Sequence, residues 1–220
     1  MDSILIPYPH QKWDRHCQDS RIRFATTTAD DPEFDMVLAL REQVSDKPQA
    51  PDRIDLHSAH HLAFVNDEPA ATLRVTRLTD GELDCGNYYP NTILNEFRAE
   101  LCNASRFFAH SKHPHSLKLA HLLVEVAWRQ QLQLGTRLDV INVHERAIRY
   151  YGRMGYELVS NSFFRHPVLD TPSRVMVFPA TPCRDTPLDH VFDDIESPFD
   201  FETLATLVDL EPWREFRKSQ

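Results

Sequence analysis

The chain has 220 residues, of which 41% are hydrophobic and 26% are charged, and its formal net charge is −9. This composition is typical of a globular protein with one sizeable core. It excludes general nucleic-acid binding, which needs a positive surface. No apolar run approaches the roughly 20 residues of a membrane span, and the first residues lack the basic and apolar pattern of a secretory signal. We therefore expect a cytoplasmic protein without a membrane span.

The four cysteines are scattered and form no CxxC pair: Cys17, Cys85, Cys102 and Cys183. We interpret them as reduced thiols rather than a disulfide framework. No cysteine or carboxylate spacing completes a metal site around the histidines at 57–61 and 110–115. The sequence therefore predicts no bound metal.

Residues 1–20 are mixed in character, and we expect them to form an irregular arm. Alternation predicts a first strand at 21–28. Acidic residues and Pro32 then predict a helix start, and two prolines predict a loop at 45–59. Two β-rich runs on either side of a turn-forming sequence predict a hairpin at 60–78.

The second half of the chain alternates strands and helices. In order, we predict a short helix around Leu94–Glu100, a strand at 101–109, a helix at 116–134, a strand at 136–143, a short helix at 145–154, and two last strands in 156–166 and 173–178. This order indicates an α/β protein with a mixed, mostly antiparallel central sheet and helices on both faces.

The last 40 residues differ from the rest of the chain in charge. Residues 181–220 hold ten acidic and four basic side chains, a net charge of −6. One amphipathic stretch, 201–210, is expected to pack on the body of the protein or on a partner. We therefore divide the chain into an arm (1–20), a main domain (21–180) and an acidic C-terminal extension (181–220).

Two motifs carry a family resemblance. The stretch ERAIRYYGRMGYEL resembles the late helix and following strand of the GNAT acyltransferase superfamily, and His144 stands where that family has asparagine. The matching residues are Ala147, Ile148, Tyr151, Gly155 and Tyr156. Ser105-Arg106-Phe107 is similar to acyl-homoserine-lactone (autoinducer) synthases and long-chain N-acyl amino acid synthases. The residues that accompany it are Asp52, Asp55, Ser58, His61, Leu62, Leu73 and Arg74.

The resemblance spans residues 21–180 and implies a GNAT-like acyltransferase in which an amine attacks a thioester. That reaction needs a base for the amine, donors for the developing oxyanion and an acid for the leaving thiolate. The resemblance implies that Tyr151 is the acid and that backbone N–H groups of the strand at 103–109 are the oxyanion donors. The alternative for Tyr151 is a tyrosine that only packs in the core.

The catalytic base is the weakest part of the resemblance. Autoinducer synthases have glutamate two residues before the serine of the second motif, and here that residue is Asn103. A neutral amide orients an amine or a water, but it does not accept a proton usefully near neutral pH. Glu100, His110 or water are the substitutes, and for both side chains a solvated surface position is the competing interpretation.

In the related synthases, arginines in strand-like runs help to build the acceptor side of the site, and the resemblance implies the same here. Arg74 and Arg106 are candidates for holding an amino-acid carboxylate by bidentate contacts, and the alternative is structural ion pairing with Asp52 or Asp55. The remaining predicted substrate-binding residues are Ser105, Phe107 and Phe108. The two phenylalanines are candidates for lining an acyl tunnel, which ordinary packing explains equally well.

The acyl donor is predicted from the turn before the helix at 116–134. Ordinary superfamily members hold the coenzyme A pyrophosphate at a glycine-containing turn, where the helix N-terminus exposes N–H groups. Leu117 and Leu119 stand where those glycines are expected, which favours a donor with a single phosphate, the acyl-phosphopantetheine of acyl carrier protein. The predicted cofactor-binding residues are His110, His115, Ser116, Leu117, Lys118 and Leu119.

A basic rim supports the same donor, because carrier proteins are acidic. With the histidines of this turn, its predicted members are Lys112, Lys118, Arg146, Arg149 and Arg153. We thus expect an N-acyltransferase that moves a medium or long acyl chain from acyl carrier protein, or from acyl-CoA, to the amine of an amino acid or similar small acceptor. The alternatives are an acetyl-CoA-dependent acetyltransferase and a non-catalytic GNAT-like module that binds an acyl ligand or a protein.

Overall fold

A computed structural model describes residues 22–45, 48–110, 116–182 and 186–214, apart from the side chains of residues 116 and 117. The predicted arm at 1–20 and His115 therefore lie outside the described residues. The strands are β1 (Ile22–Thr27), β2 (Ala59–Val65), β3 (Glu68–Arg77), β4 (Leu101–Ala109), β5 (Leu138–His144), β6 (Glu157–Val159), β7 (Phe164–Arg165), β8 (Pro172–Pro179) and β9 (Leu210–Glu211). The helices are α1 (Phe34–Ser45), α2 (Asn91–Glu96), α3 (Ser116–Gln133), α4 (Ile148–Arg153), α5 (Asp189–Phe192) and α6 (Phe201–Leu207).

The chain divides into two compact units. The described part of the first unit comprises residues 22–75 and 106–127. Its strands β1, β2 and β3 pair antiparallel in that order. Asn66 and Asp67 join β2 to β3 with φ angles of 52° and 68°, the left-handed conformations that a two-residue hairpin turn requires. On α1, Phe34 and Val37 pack against residues of β2.

The described part of the second unit comprises residues 76–105 and 128–214. Strand β4 pairs parallel with β5 at Leu101↔Leu138 and Cys102↔Asp139. Strand β5 pairs antiparallel with β8, β8 with β6 and β7, and β6 with β9. The mixed, mostly antiparallel sheet predicted from the order of elements is therefore confirmed.

The described C-terminal residues pack into the second unit. Phe199, Leu204 and Val208 lie in the same apolar cluster as residues of β5 and β8. Strand β9 extends the sheet beside β6, and Arg174 of β8 contacts the Glu211 carboxylate at 2.8 Å. The amphipathic stretch at 201–210 thus contributes its apolar side to the core of the protein.

Two predicted element boundaries were wrong. The short helix runs from Asn91 to Glu96 rather than from Leu94 to Glu100, because the carbonyl of Glu100 accepts the N–H groups of Arg137 and Leu138. The continuous strand expected at 156–166 is two short strands, β6 and β7. Asn161 interrupts it with a φ of 53°, a left-handed conformation that ends β pairing.

Candidate active site

Side chains replace backbone pairing where β4 continues past Cys102. The Asn103 side-chain N–H donates to the Val140 carbonyl at 2.6 Å. The Ala104 backbone N–H donates to the Asp139 carboxylate at 2.8 Å. These two bonds join β4 to β5 immediately after their last paired residues, so they define the geometry of β4 at the start of the predicted oxyanion-donor segment.

Asn103 is fully buried, and its amide is engaged with other protein groups. Besides Val140, its Nδ2 donates to the Tyr89 hydroxyl at 3.0 Å, and its Oδ1 accepts the backbone N–H of Asp84 at 3.2 Å. A buried amide with these partners holds β4, β5 and the loop before α2 together. The geometry therefore favours a positioning role for Asn103, and its predicted catalytic role stays a prediction.

Asp139 is a buried carboxylate that the sequence analysis did not identify. Its Oδ2 accepts the Tyr156 hydroxyl at 2.5 Å, and its Oδ1 lies 3.7 Å from the Cys102 Sγ. Burial raises the pKa of Asp139 to about 6, although these bonds favour the charged form. The sequence did contain a signal, because an aspartate in the apolar run LDVINV is costly to bury without partners.

Tyr151 lies next to this group on α4. Its ring meets those of Tyr150 and Tyr156 edge-on, with centroids 5.2 Å and 5.5 Å away. Burial raises the pKa of Tyr151 above its usual value, and the nearby Tyr150 and Asp139 raise it further. The phenol therefore stays protonated at physiological pH, which suits a proton donor and does not suit a base.

The first unit holds a network of arginines and aspartates. Arg41 and Arg74 each approach the Asp55 carboxylate at 3.0 Å. Arg74 also contacts Asp52 at 2.8 Å, and Arg106 reaches the other Asp52 oxygen at 3.2 Å. The ion pairs that the sequence left open for Arg74 and Arg106 are therefore present.

One part of the network is buried, and the other part is accessible to solvent. Arg74 is fully buried, whereas the side chains of Arg106 and Asp52 are 26% and 33% exposed. Burial raises the pKa of Asp52, but the charge and hydrogen bond of Arg74, the backbone N–H of Asp55 and the charge of Arg106 together lower it overall. Arg106 has a φ of 49° within β4, a costly conformation for a residue with a side chain.

His60 is a neutral member of the same network. Desolvation lowers its pKa to about 4. An Arg41 N–H donates to its Nδ1 at 3.2 Å, so its Nε2 donates to the Asp55 carbonyl at 3.2 Å. The ring therefore supports Arg41 and Asp55 without adding charge.

The other predicted residues have less distinctive positions. Glu100 is exposed, and the His110 backbone N–H donates to the Ala70 carbonyl at 2.8 Å. Ser105, Phe107 and Phe108 are half-buried, and Lys118 is exposed. Leu119 is buried, so its side chain does not line an open helix entrance. The steric argument against a pyrophosphate then depends on Leu117, whose side chain lies outside the described residues.

Several solved structures share the fold of this chain. FeeM, an N-acyl amino acid synthase from uncultured soil microbes, superposes with a TM-score of 0.57 at 14% identity, covering 72% of this chain and 92% of that one. The AHL synthase LasI gives 0.56 at 15% identity, covering 73% and 89%. MesI, a CoA-dependent acyl-homoserine lactone synthase, gives 0.53 at 15% identity, covering 81% and 97%. These likenesses confirm the GNAT-like fold.

The fold thus places the chain among proteins of GNAT-like architecture. A sequence model of the family described as "N-acyl amino acid synthase FeeM" matches residues 42–178. This chain belongs to that family. No curated protein sequence matches the chain directly, and none of the helices in the described residues is long and apolar enough to cross a membrane.

Proposed function

We propose that the protein moves a medium or long acyl chain from acyl carrier protein, or from acyl-CoA, to the amine of an amino acid or a similar small acceptor. The observation that carries this proposal is the family match over residues 42–178, which includes Tyr151, Arg74 and Arg106. Catalysis is assigned to the domain at 21–180. Since acyl carrier protein and acyl-CoA are found in the cytoplasm, the same proposal places the protein there.

The chemical step is attack of the neutral amine on the thioester carbonyl. The carbonyl oxygen becomes an oxyanion, which backbone N–H groups of β4 stabilise. Ala104 is not one of those donors, because its N–H is bonded to Asp139. Collapse of the intermediate breaks the C–S bond, and Tyr151 gives its proton to the departing thiolate. The amine nitrogen loses its extra proton to water, and water in turn reprotonates the Tyr151 phenolate. The raised pKa of Tyr151 supports this role, because the proton is present at working pH.

The acceptor is assigned to the accessible end of the arginine network. The partly exposed Arg106 guanidinium is suited to a carboxylate, and the partly exposed Asp52 carboxylate beside it is suited to an ammonium group. Together they complement the two charges of an amino acid. Arg74 is fully buried and acts through Asp52 and Asp55, so it is a positioning residue in this proposal.

The carrier protein is assigned to a basic surface on and before α4. Arg146, Arg149 and Arg153 are exposed and repeat at helical spacing, so they present one positive face to an acidic partner. Acyl-CoA is the competing donor, and the printed description of MesI as CoA-dependent is a reason to test it. The donors are compared by measuring kcat/KM with one acyl chain on each. Arg149→Glu should lower the value for the carrier protein only, and the equally exposed Arg98→Glu is the matched control.

The experiment that tests the proposed function is mass spectrometry of lipids from a bacterial host that expresses the protein. An N-acyl amine that is present with the wild type and absent with Tyr151→Phe supports the proposal. N-acetylated products alone would favour the acetyltransferase alternative. No new N-acyl compound, with acylated carrier protein present in the host, would favour a non-catalytic binding module.

A further inference from the structure

Three metal-ligating side chains converge in the second unit. Asp84 and Cys85 lie in the loop after β3, and His166 follows β7. The Cys85 Sγ is 3.6 Å from the Asp84 Oδ1 and 3.5 Å from the His166 Nε2. No two of the three ligand atoms are more than 4.8 Å apart. The cluster therefore brings together a sulfur, a nitrogen and an oxygen from segments 81 residues apart.

The two separations from the Cys85 sulfur match the geometry of a tetrahedral zinc centre. Zinc lies about 2.3 Å from a cysteine sulfur and about 2.0 to 2.2 Å from nitrogen or oxygen ligands, so the sulfur is about 3.5 Å from each of the other ligands. Both sulfur distances agree with that value within about 0.1 Å. The donor set is one that Zn²⁺ and similar thiophilic ions prefer.

The protein scaffold holds the two segments together independently of any ion. The Tyr88 and Phe164 rings stack at 4.3 Å with an interplanar angle of 13°. The Asp84 backbone N–H is bonded to the Asn103 side chain. Cys85 has a φ of 59°, an uncommon conformation for a residue with a side chain. The positions of Asp84 and Cys85 are thus set by contacts outside the cluster.

From this convergence we propose that Asp84, Cys85 and His166 form a binding site for one thiophilic divalent cation, of which Zn²⁺ is the best match. The Asp84 carboxylate, 3.6 Å from the Cys85 sulfur, supplies negative charge that attracts a cation to the thiol. Asp84 and Cys85 are half-buried, so the fourth ligand is a water or a small molecule. The proposal of this cation site does not depend on the proposed acyl transfer.

The hydrogen bonds of His166 specify how protons move on binding. Its Nδ1 accepts the backbone N–H groups of Val168 and Leu169, each at 3.2 Å. Without a cation the ring proton is therefore on Nε2 and points at the sulfur. Cation binding releases the Sγ proton and moves the ring proton to Nδ1, for a net release of one proton per ion.

This tautomer change requires a small local adjustment. The two backbone amides that face Nδ1 belong to Val168 and Leu169, residues that are 70% and 61% exposed. Their N–H groups can rotate toward water when Nδ1 becomes a donor. The adjustment costs affinity, because ligating histidines normally have an acceptor at their second nitrogen.

The test is a titration of the purified full-length protein with Co²⁺, in a background where Cys17 and Cys183, outside the described residues, are serine. We expect a thiolate-to-cobalt charge-transfer band that saturates at one ion per chain, releases one proton per ion to a pH indicator, and disappears when Zn²⁺ is added. Cys85→Ser should abolish the band, and His166→Gln should weaken binding at least ~10-fold. Cys102→Ala is the matched thiol control and should keep the band, since Cys102 is buried beside Asp139.

A second measurement keeps the proposal falsifiable if a variant fails to fold. Zn²⁺ should slow alkylation of Cys85 by iodoacetamide in the otherwise unmutated background, as mapped by peptide mass spectrometry. Absence of the charge-transfer band at saturating Co²⁺, an unchanged band in Cys85→Ser, or equal alkylation rates with and without Zn²⁺ would each overturn the site. None of these readouts depends on acyl transfer, so the proposed function stands or fails separately.

Discussion

Gly152 of α4 lies against Trp213 near the C-terminus. This contact decides whether Gly152→Ala lowers or raises the free energy of unfolding. A Cβ atom added at Gly152 would lie 2.2 Å from Trp213 Cδ2, 2.5 Å from Cγ and 2.7 Å from Cε2. Ordinary contacts of a Cβ atom begin near 3.4 Å. The indole must therefore move by about 1 Å or leave the helix, and overpacking of this kind costs about 1 to 3 kcal/mol.

Replacing Gly152 by alanine also stabilises the helix, but the clash with Trp213 outweighs this effect in the wild type. Alanine is better than glycine inside a helix by up to about 1 kcal/mol. Gly152→Ala should thus lower the free energy of unfolding of the wild type by about 1 to 2 kcal/mol. In a Trp213→Ala background the same substitution should raise the free energy of unfolding by up to about 1 kcal/mol. The coupling energy of the cycle is the difference between the two effects, about 1 to 3 kcal/mol.

Urea denaturation of the four proteins measures that cycle. Equal effects of Gly152→Ala in both backgrounds, with a coupling energy below about 0.5 kcal/mol, would show that Trp213 does not pack on α4. The packing of the C-terminal extension against the helix that carries Tyr151 would then be refuted.

Three further predictions concern the site. Tyr151→Phe should lower kcat roughly 100-fold with little change in KM, because the phenol acts on the leaving thiolate; an unchanged kcat would remove the proton-donor role. Arg106→Ala should raise the KM of the amino acid at least ~10-fold with a small effect on stability, whereas Arg74→Ala should cost about 3 to 5 kcal/mol, because it leaves buried carboxylates unpaired; the reverse pattern would contradict the acceptor assignment. Asp139→Asn tests the raised pKa of about 6. A carboxyl whose folded pKa lies above its unfolded value of about 3.9 binds protons more tightly when folded. The wild type should therefore lose about 2 kcal/mol of stability relative to Asp139→Asn as the pH rises from 4 to 7. A pH-independent difference in urea denaturation would contradict this.

Local patterns predicted the secondary structure well where one segment carries the signal. The strand at 101–109 and the helix start at Ser116 agree with the structure, because β-rich alternation and capping are properties of consecutive residues. The hairpin at 60–78 was predicted from a four-residue turn sequence. The boundaries of α2 and of β6 and β7 failed because partners far along the chain decide them, such as Arg137 for the carbonyl of Glu100.

The site residues also fall into two groups, those predicted from consecutive residues and those whose contacts join distant segments. Tyr151 was found from a motif of consecutive residues, and the ion pairs of Arg74 and Arg106 were one of two stated alternatives. The contacts of Asn103 with Tyr89 and Val140, and those of Asp139 with Tyr156, join segments that are distant in sequence. No spacing rule links Cys85 to His166 for the same reason. Such contacts depend on the register of β4 with β5, which only the folded chain supplies.

The central claim is acyl transfer from a thioester to an amine, and a reaction with purified components tests it most directly. The protein is incubated with a mixture of amino acids and with acyl carrier protein that is loaded with a long acyl chain. The products are identified by mass spectrometry. We predict an N-acyl amino acid and an equal amount of deacylated carrier protein, both greatly reduced with Tyr151→Phe. If the acylated carrier protein, and acyl-CoA in a parallel reaction, both remain intact with folded wild-type protein, the account is contradicted.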